Sequence, residues 1–381
     1  MKHATFRLTE KEKYACKIIE RSMDEFPLTE EFYDFAVTNQ IAAMAGHIIE
    51  SKKRSTVATI EQKFIDEHQR VKTYLDNYLA ELDNVAALLS KNDIQIVALK
   101  NAGIARGIFD CTGCCPMGDL DLLVRKTNFL KAHELLLQYG YNFKYRSYLE
   151  KESIQNAIKS GGAEYWKELP TGEKLWLELQ FRPVAGRWIS EEQEPDTDTL
   201  IAQSVQVPGS MVRLLAPEDN LLQVSLHTAK HSYVREPGFR LHTDVDRIVR
   251  NQPVDWDLFV AKVNKLKVKT PVYFSLLIPN TLLATPIPAT VIDTLFPGKI
   301  KSFLILSILK KAGLFNPAGK KFGRITFLLF NVLLYDSPHL IVANLFPSKR
   351  KMMEMYNCTP GSVYYYYCVR FLNLLLRRQK T

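Results

Sequence analysis

The sequence predicts an α+β fold, a small mixed β-sheet core flanked by N-terminal and C-terminal helical regions. Three observations predict it. Up to about residue 90, apolar positions recur at helical spacing, as in Phe32-Tyr33-Asp34-Phe35-Ala36-Val37 and again from Tyr74 to Leu82. Between Asp93 and Phe181 the pattern changes to short alternating or apolar runs that read as strands. After about residue 210 helical spacing returns. A chain of 381 residues can bury a large core, and the pattern divides it into 1–90, 91–210, 211–300 and 301–381. There is no internal repeat and no low-complexity linker. Ser190 to Thr199, rich in Glu, Asp, Pro and Thr, is expected to be the least ordered stretch.

The first ninety or so residues read as packing helices without chemistry. Next comes Asp93-Ile94-Gln95-Ile96-Val97-Ala98-Leu99-Lys100, which alternates and then runs apolar, as a mostly buried strand does. It meets a turn at Asn101-Ala102-Gly103 and a short helix-like segment, Ile104 to Phe109. After the loop Asp110 to Met117 comes Gly118-Asp119-Leu120-Asp121-Leu122-Leu123-Val124. Strand alternation puts Asp119 and Asp121 on one side. Two like charges held together are costly unless a cation lies between them, and a hard divalent ion prefers carboxylate oxygens. The bland alternative is a pair of solvated loop acids.

Residues Asn128 to Gln138 then carry a helical stripe, with Thr127 or Asn128 as cap and Gly140 as stop. The next strand is Lys174 to Phe181, where Glu178 stands between large apolar residues. Beside Asp119 and Asp121, it would complete a site for two divalent ions. Otherwise it is a structural acid paired with Arg182 or Lys174. Further on, His227 and His231 stand four apart on a helix, which is metal-ligand spacing. No Glu follows His227, so the zinc-protease pattern fails, and the two read first as packed or hydrogen-bonding residues beside the site. Asp244 and Asp246 follow Thr243 and read as helix-capping acids.

This order of elements resembles the nucleotidyltransferase superfamily of the polymerase-β type. More narrowly it is similar to a bacterial family of uncharacterised nucleotidyltransferases, in which Leu-Lys-Gly precedes an Asp-(Ile/Leu)-Asp-Leu-Leu-Val strand. Leu99-Lys100 matches the start of that segment and Gly118 to Val124 matches the acidic strand. Leu177-Glu178-Leu179-Gln180-Phe181-Arg182 is similar to the later acidic strand, with Gln180 where the family often has His. Ala216 to Leu222, Leu226 to His231, Phe239 to Val249 and Asp255-Trp256 extend the likeness, which covers roughly residues 90 to 285.

The resemblance implies Mg2+ (or Mn2+) held by Asp119, Asp121 and Glu178. It implies NTP as substrate, with Lys100, Asn101, Gly103 and Gly118 near its phosphates. His227, His231 and Asp244 would stand on the substrate side. The acceptor would be a sugar, a protein side chain, an RNA end or a small metabolite, and the family's association with surface glycans favours a sugar-related or membrane-proximal one. The chain departs from the pattern at Asn101, where the family has Gly. A second reading follows, a fold of this type that binds or scaffolds without catalysis.

Cys111-x-x-Cys114-Cys115 invites a zinc or redox reading, but a structural zinc site normally takes four ligands and there is no second Cys-x-x-Cys. Residues Met1 to Arg7 lead into polar, helix-like sequence rather than a signal segment, so reduced cysteines and a cytoplasmic location are expected. The net charge of +9 belongs to the last fifth: residues 301–381 hold 13 Lys and Arg against Asp336 and Glu354, and the remainder 37 basic against 39 acidic residues. Apolar runs accompany this charge. None reaches the ~18 residues of a membrane span, and Asp336-Ser337-Pro338-His339 interrupts the longest. Peripheral contact with an anionic membrane through 301–381 and a solvated basic helical face are both compatible with this. No specific nucleic-acid motif accompanies the charge.

Overall fold

The computed structural model describes residues 6–21, 26–52, 58–144, 153–184, 189–356 and 358–376. Met1 to Thr5, and three of the C-terminal cations, Arg377, Arg378 and Lys380, lie outside them. Four helices come first: α1 (Glu10–Glu20), α2 (Glu30–Thr38), α3 (Ala42–Ser51) and α4 (Thr59–Ser90). At 32 residues, α4 is about 48 Å long. Its Phe64, His68, Val71, Leu75, Leu79, Leu82, Val85 and Leu89 repeat every three or four residues and are buried. At the crossing of α3 and α4 a Cβ on Gly46 would lie 1.9 Å from the Phe64 carbonyl oxygen. Only glycine permits that approach.

The sheet contains β1 (Val97–Leu99), β2 (Leu120–Leu123), β3 (Asn142–Phe143), β4 (Gly162–Glu168), β5 (Lys174–Gln180), β6 (Val205–Gln206) and β7 (Arg213–Leu214). Its order is β3-β4-β5-β2-β1-β7-β6. β2 is antiparallel to β1 and parallel to β5, and β1 is parallel to β7, so the sheet is mixed as expected. The expected α+β class holds. The sheet is wider than Asp93–Phe181, because β6 and β7 enter it from residues beyond 200. These strands are only two residues long, too short to leave a pattern of alternation.

Between the strands lie α5 (Lys100–Gly107), α6 (Phe129–Gln138), α7 (Ile154–Ser160) and α8 (Thr197–Gln203). The expected turn at Asn101-Ala102-Gly103 is instead the first turn of α5. Ser190 to Thr199, expected to be poorly ordered, contains a short 3-10 turn and the start of α8, capped by Asp196. α4 lines the sheet: Tyr78 donates to the Lys174 carbonyl (3.0 Å), and Glu81 accepts from Tyr141 (3.0 Å) and Lys167 (2.9 Å).

The remaining helices are α9 (Pro217–Lys230), α10 (Arg240–Asn251), α11 (Trp256–Leu266), α12 (Lys269–Leu282), α13 (Ala289–Thr294), α14 (Lys299–Ala312), α15 (Arg324–Leu333), α16 (Pro338–Leu345), α17 (Lys349–Tyr356) and α18 (Val363–Leu376). α9 and α10 pack on α5 and so face the edge of the acidic strands. Thr243, Asp244 and Asp246 lie inside α10, not at its start, which corrects the reading of the two acids as caps. Asp336, which breaks the longest apolar run, caps a different element. It accepts from the backbone N–H groups of Lys269 (2.5 Å) and Thr270 (2.8 Å) at the start of α12.

Candidate active site

The register of β2 and β5 builds the acidic side of the site. Asp121 stands directly opposite Glu178 on the adjacent parallel strand, and opposite Leu99 on β1. Lys100 follows Leu99, and its Nζ donates to Asp121 Oδ1 at 2.5 Å and lies 3.8 Å from Glu178 Oε2. Asp121 is almost fully buried; Glu178 is about a third exposed, with 30% of its side chain open to solvent. Asp119 precedes β2 and is half-buried. Burial raises the Asp121 pKa well above the usual range, Lys100 pulls it down, and Asp119 and Glu178 push it up again. For Lys100 burial disfavours the charge, but Asp121, Glu178 and Asp119 outweigh this and raise its pKa. The ammonium of Lys100 thus supplies the cation that two facing carboxylates require.

Lys100 does this from a left-handed backbone conformation, φ 52°. A non-glycine residue there is uncommon and marks local strain. The left-handed residue is thus Lys100 and not Asn101, the position where the chain departs from the family's Gly. Asn101 is buried, and its amide, oriented to satisfy both neighbours, donates to Asp244 Oδ1 at 2.8 Å and accepts from Arg240. Gly103 marks the contact of α5 with β1, where a Cβ would lie 2.7 Å from the Ala98 carbonyl oxygen. Gly118 is exposed, and a Cβ there would meet nothing within 4 Å.

α9 and α10 bring cationic and neutral donors to the same face. His227 and His231 stack edge to face with ring centroids 4.6 Å apart. Burial, then the charges of Lys100 and Lys230, push His227 well down; burial and Lys230 lower His231 to about 3. Both rings are therefore neutral at ordinary pH. The His231 Nδ1–H donates to the Glu236 carbonyl at 2.6 Å, which fixes its tautomer. Burial also lowers the pKa of Lys230, while Glu178 and Asp121 raise it, so this lysine feels the acidic strands.

Asp244 is buried beside Arg240 and Arg247, which lower a pKa that burial raises. It accepts from Asn101 and pairs with Arg247 at 3.9 Å rather than opening to solvent. Arg240 donates to the Pro116 carbonyl (2.7 Å) and Arg247 to the Cys114 carbonyl (2.6 Å), which anchors the loop leading into Asp119. Arg182 pairs with Glu194, and the Lys174 ammonium lies over the Trp166 ring at 4.0 Å.

Nothing in the sequence pattern marks Lys230, Arg240 and Arg247 as site residues. Arg240, Asp244 and Arg247 at i, i+4 and i+7 share one face of α10, a spacing legible once α10 is known to start at Arg240.

Such a face, with acids on two adjacent strands, a lysine between them and donors opposite, suits a phosphate-rich ligand held with a cation. The chain matches the family described as Uncharacterised nucleotidyltransferase over residues 28–284, more than half its length, and it belongs to that family. Transfer of a nucleoside monophosphate group is that family's general chemistry. Neither the curated proteins nor the solved structures compared give a match.

Proposed function

We propose that the protein moves a nucleoside monophosphate from an NTP to a hydroxyl-bearing acceptor at the face formed by Asp119, Asp121 and Glu178. The observation that carries this reading is the register of Asp121 against Glu178, with the Lys100 ammonium bridging them. Carboxylates this close, one of them buried, suit a hard cation, so the donor set fits Mg2+ or Mn2+. When bound there, divalent cations would neutralise the triphosphate and favour ionisation of the acceptor hydroxyl.

The acceptor oxygen attacks the α-phosphorus, the new O–P bond forms, and the bond to the β-phosphate bridging oxygen breaks, releasing pyrophosphate. Glu178, more exposed than Asp121, takes the acceptor's proton in this reading. Lys100 and Lys230 supply positive charge toward the triphosphate. Arg240 Nε and Arg247 Nε, buried without a hydrogen-bond partner among the described residues, leave donor capacity on the opposite wall. His227 and His231, held neutral, serve as hydrogen-bonding groups on the acceptor side. Such chemistry depends mostly on positioning and charge neutralisation. A sugar-related acceptor and a cytoplasmic setting belong to the same proposal.

Calorimetric titration with each of the four NTPs, with and without Mg2+, tests this on the native protein and on Asp119→Ala/Asp121→Ala. Metal-dependent binding of an NTP that vanishes in the variant supports it. A folded native protein that binds none leaves the alternative, a non-catalytic binding or scaffold protein. The departure at Asn101 favours that alternative.

A further inference from the structure

Thr112 to Cys114 forms a single 3-10 turn just upstream of the acidic strand, and two histidines from the N-terminal helices reach it. His47 of α3, His68 of α4, Cys111 and Cys114 each offer one ligand atom, and these four atoms all lie within 4.8 Å of one another. His68 and Cys114 are buried; His47 and Cys111 are half-buried. We propose that this cluster is a structural zinc site of the two-cysteine, two-histidine type, independent of the nucleotidyl-transfer reading.

The donor set and its geometry argue for it. Two thiols and two imidazoles are the donor set that zinc takes in a closed tetrahedral site, whereas the oxygen-seeking Mg2+ avoids it. His68 Nδ1 is paired with Glu50 Oε2 at 2.9 Å, which leaves Nε2 directed at Cys111 Sγ, 3.3 Å away. A carboxylate behind the imidazole is how a zinc-ligating histidine is oriented. The rings of His47 and His68 lie with centroids 5.0 Å apart, converging on the same point. Gly113, between the cysteines, leaves room for the imidazole: a Cβ there would lie 2.7 Å from His68 Nε2. The two sulfur atoms stand 2.6 Å apart, wider than the ~2.05 Å of a disulfide. Zn–S bonds of ~2.3 Å in a tetrahedron would spread them to about 3.8 Å.

All four positions are taken by protein, so the ion would have no open coordination position and would act on structure. It would tie the α3–α4 pair to the loop whose Cys114 and Pro116 carbonyls receive Arg247 and Arg240, and which runs directly into Asp119. The zinc would thereby fix the entry of the acidic strand from the side opposite α10.

The full-length protein, purified without added metal or oxidant, is assayed for zinc and then exchanged with Co2+. One zinc per chain, and a cobalt form with thiolate charge-transfer and tetrahedral d–d absorption, are the expected results. Cys111→Ser/Cys114→Ser should lose both, and Asp119→Ala/Asp121→Ala should keep both, which separates this ion from one at the acidic strands. Glu50→Ala should weaken zinc retention by roughly tenfold or more. If the cysteine variant does not fold, His68→Cys, which keeps four ligands, should shift the cobalt charge-transfer band. A folded native protein that carries no zinc and gives no thiolate–cobalt band overturns the proposal. So does a Cys111–Cys114 disulfide found by mass spectrometry in unreduced protein, or a band that ignores His68→Cys.

Discussion

Lys100 sets its ammonium against a nearly buried carboxylate that has a second one beside it, and it does so from a strained backbone conformation. Its loss has an expected signature. In Lys100→Met, Asp121 and Glu178 face each other without the ammonium, and breaking a mostly buried pair should cost about 3 kcal/mol. Mg2+ should then raise the thermal midpoint of the variant more than that of the native protein, because the ion replaces the missing cation. Equal shifts in the two proteins would show that Asp121 does not need a cation there. Asp121→Asn keeps the shape and removes one charge, and should lower transfer by at least ~100-fold, comparable to losing an electrostatic contact in a transition state. Radiolabelled NMP transfer with a fixed acceptor reads it. The histidines predict a pH effect of definite sign. His231 titrates at about 3 in the folded protein, because of burial and Lys230, against ~6.5 when unfolded. The unfolded chain therefore binds more protons between those values, so stability is full above about 6.5 and falls as pH drops toward 3. His231→Gln should flatten that acid limb of the thermal midpoint profile; an unchanged limb would remove His231 as its cause. Asp119, Asp121 and Glu178 were legible from sequence because carboxylates in apolar strand patterns are costly. Lys230, Arg240 and Arg247 were not, since basic residues on helices are common and their convergence is tertiary.

At the scale of elements, glycines and caps decide where helices meet. Gly46 lets α3 approach α4 so closely that a Cβ would lie 1.9 Å from backbone oxygen, which cannot move as a side chain can. Gly46→Ala should force the pair apart and destabilise by about 3 kcal/mol. It should also separate His47 from His68, so thermal unfolding and zinc content are measured together. A variant as stable as the native protein would mean that the crossing is looser than described. Asp336 makes the opposite point about reading a sequence. It looked like a break in an apolar run, yet it satisfies two orphan N–H groups of α12 across 66 residues of chain. Asp336→Ala should cost about 1–2 kcal/mol, as loss of a good helix cap does, and lower the thermal midpoint by a few degrees. The strands β1, β2 and β5 were legible through alternation and apolar runs. Of the strands that were not, β3, β6 and β7 are two residues each and exist only through pairing, while the seven-residue β4 pairs with β5 along a stretch the sequence reading passes over. The cysteine turn alone offers too few ligands for a structural zinc site. Its other two donors come from separate helices 43 and more residues upstream, a distance no spacing motif encodes.

Across the whole molecule, the buried core runs from Ala15 through the sheet to Leu340, so the C-terminal fifth is packed onto the rest. Phe315 stacks on Phe239 with centroids 4.3 Å apart, and Asn316 N–H donates to Asn39 at 2.7 Å, joining N-terminal and C-terminal helices. The outer side of that fifth is different. Phe303, Ile325, Leu329, Tyr365 and Leu372 are each at least half exposed, and Ile300, immediately before this stretch on the same helix as Phe303, is 79% exposed. Apolar side chains left in water beside a large excess of basic residues suit an anionic membrane surface. No helix among the described residues is long and apolar enough to cross one. Peripheral contact through 301–381 is therefore the reading to test, and it predicts two dependences together. Co-sedimentation with vesicles rich in anionic lipid should exceed that with neutral vesicles and weaken as salt rises, because the charge term is screened within about 10 Å at 0.1 M. Ile300→Ser/Phe303→Ser should reduce binding at every salt concentration without changing its slope, because the apolar term is not screened. Equal binding to neutral and anionic vesicles would assign the charge to solvation alone. Binding that ignores the two substitutions would move the apolar contact away from α14. NTP binding should survive in either case, because Ile300 and Phe303 belong to α14, while the acids and Lys100 belong to β1, β2, β5 and α5.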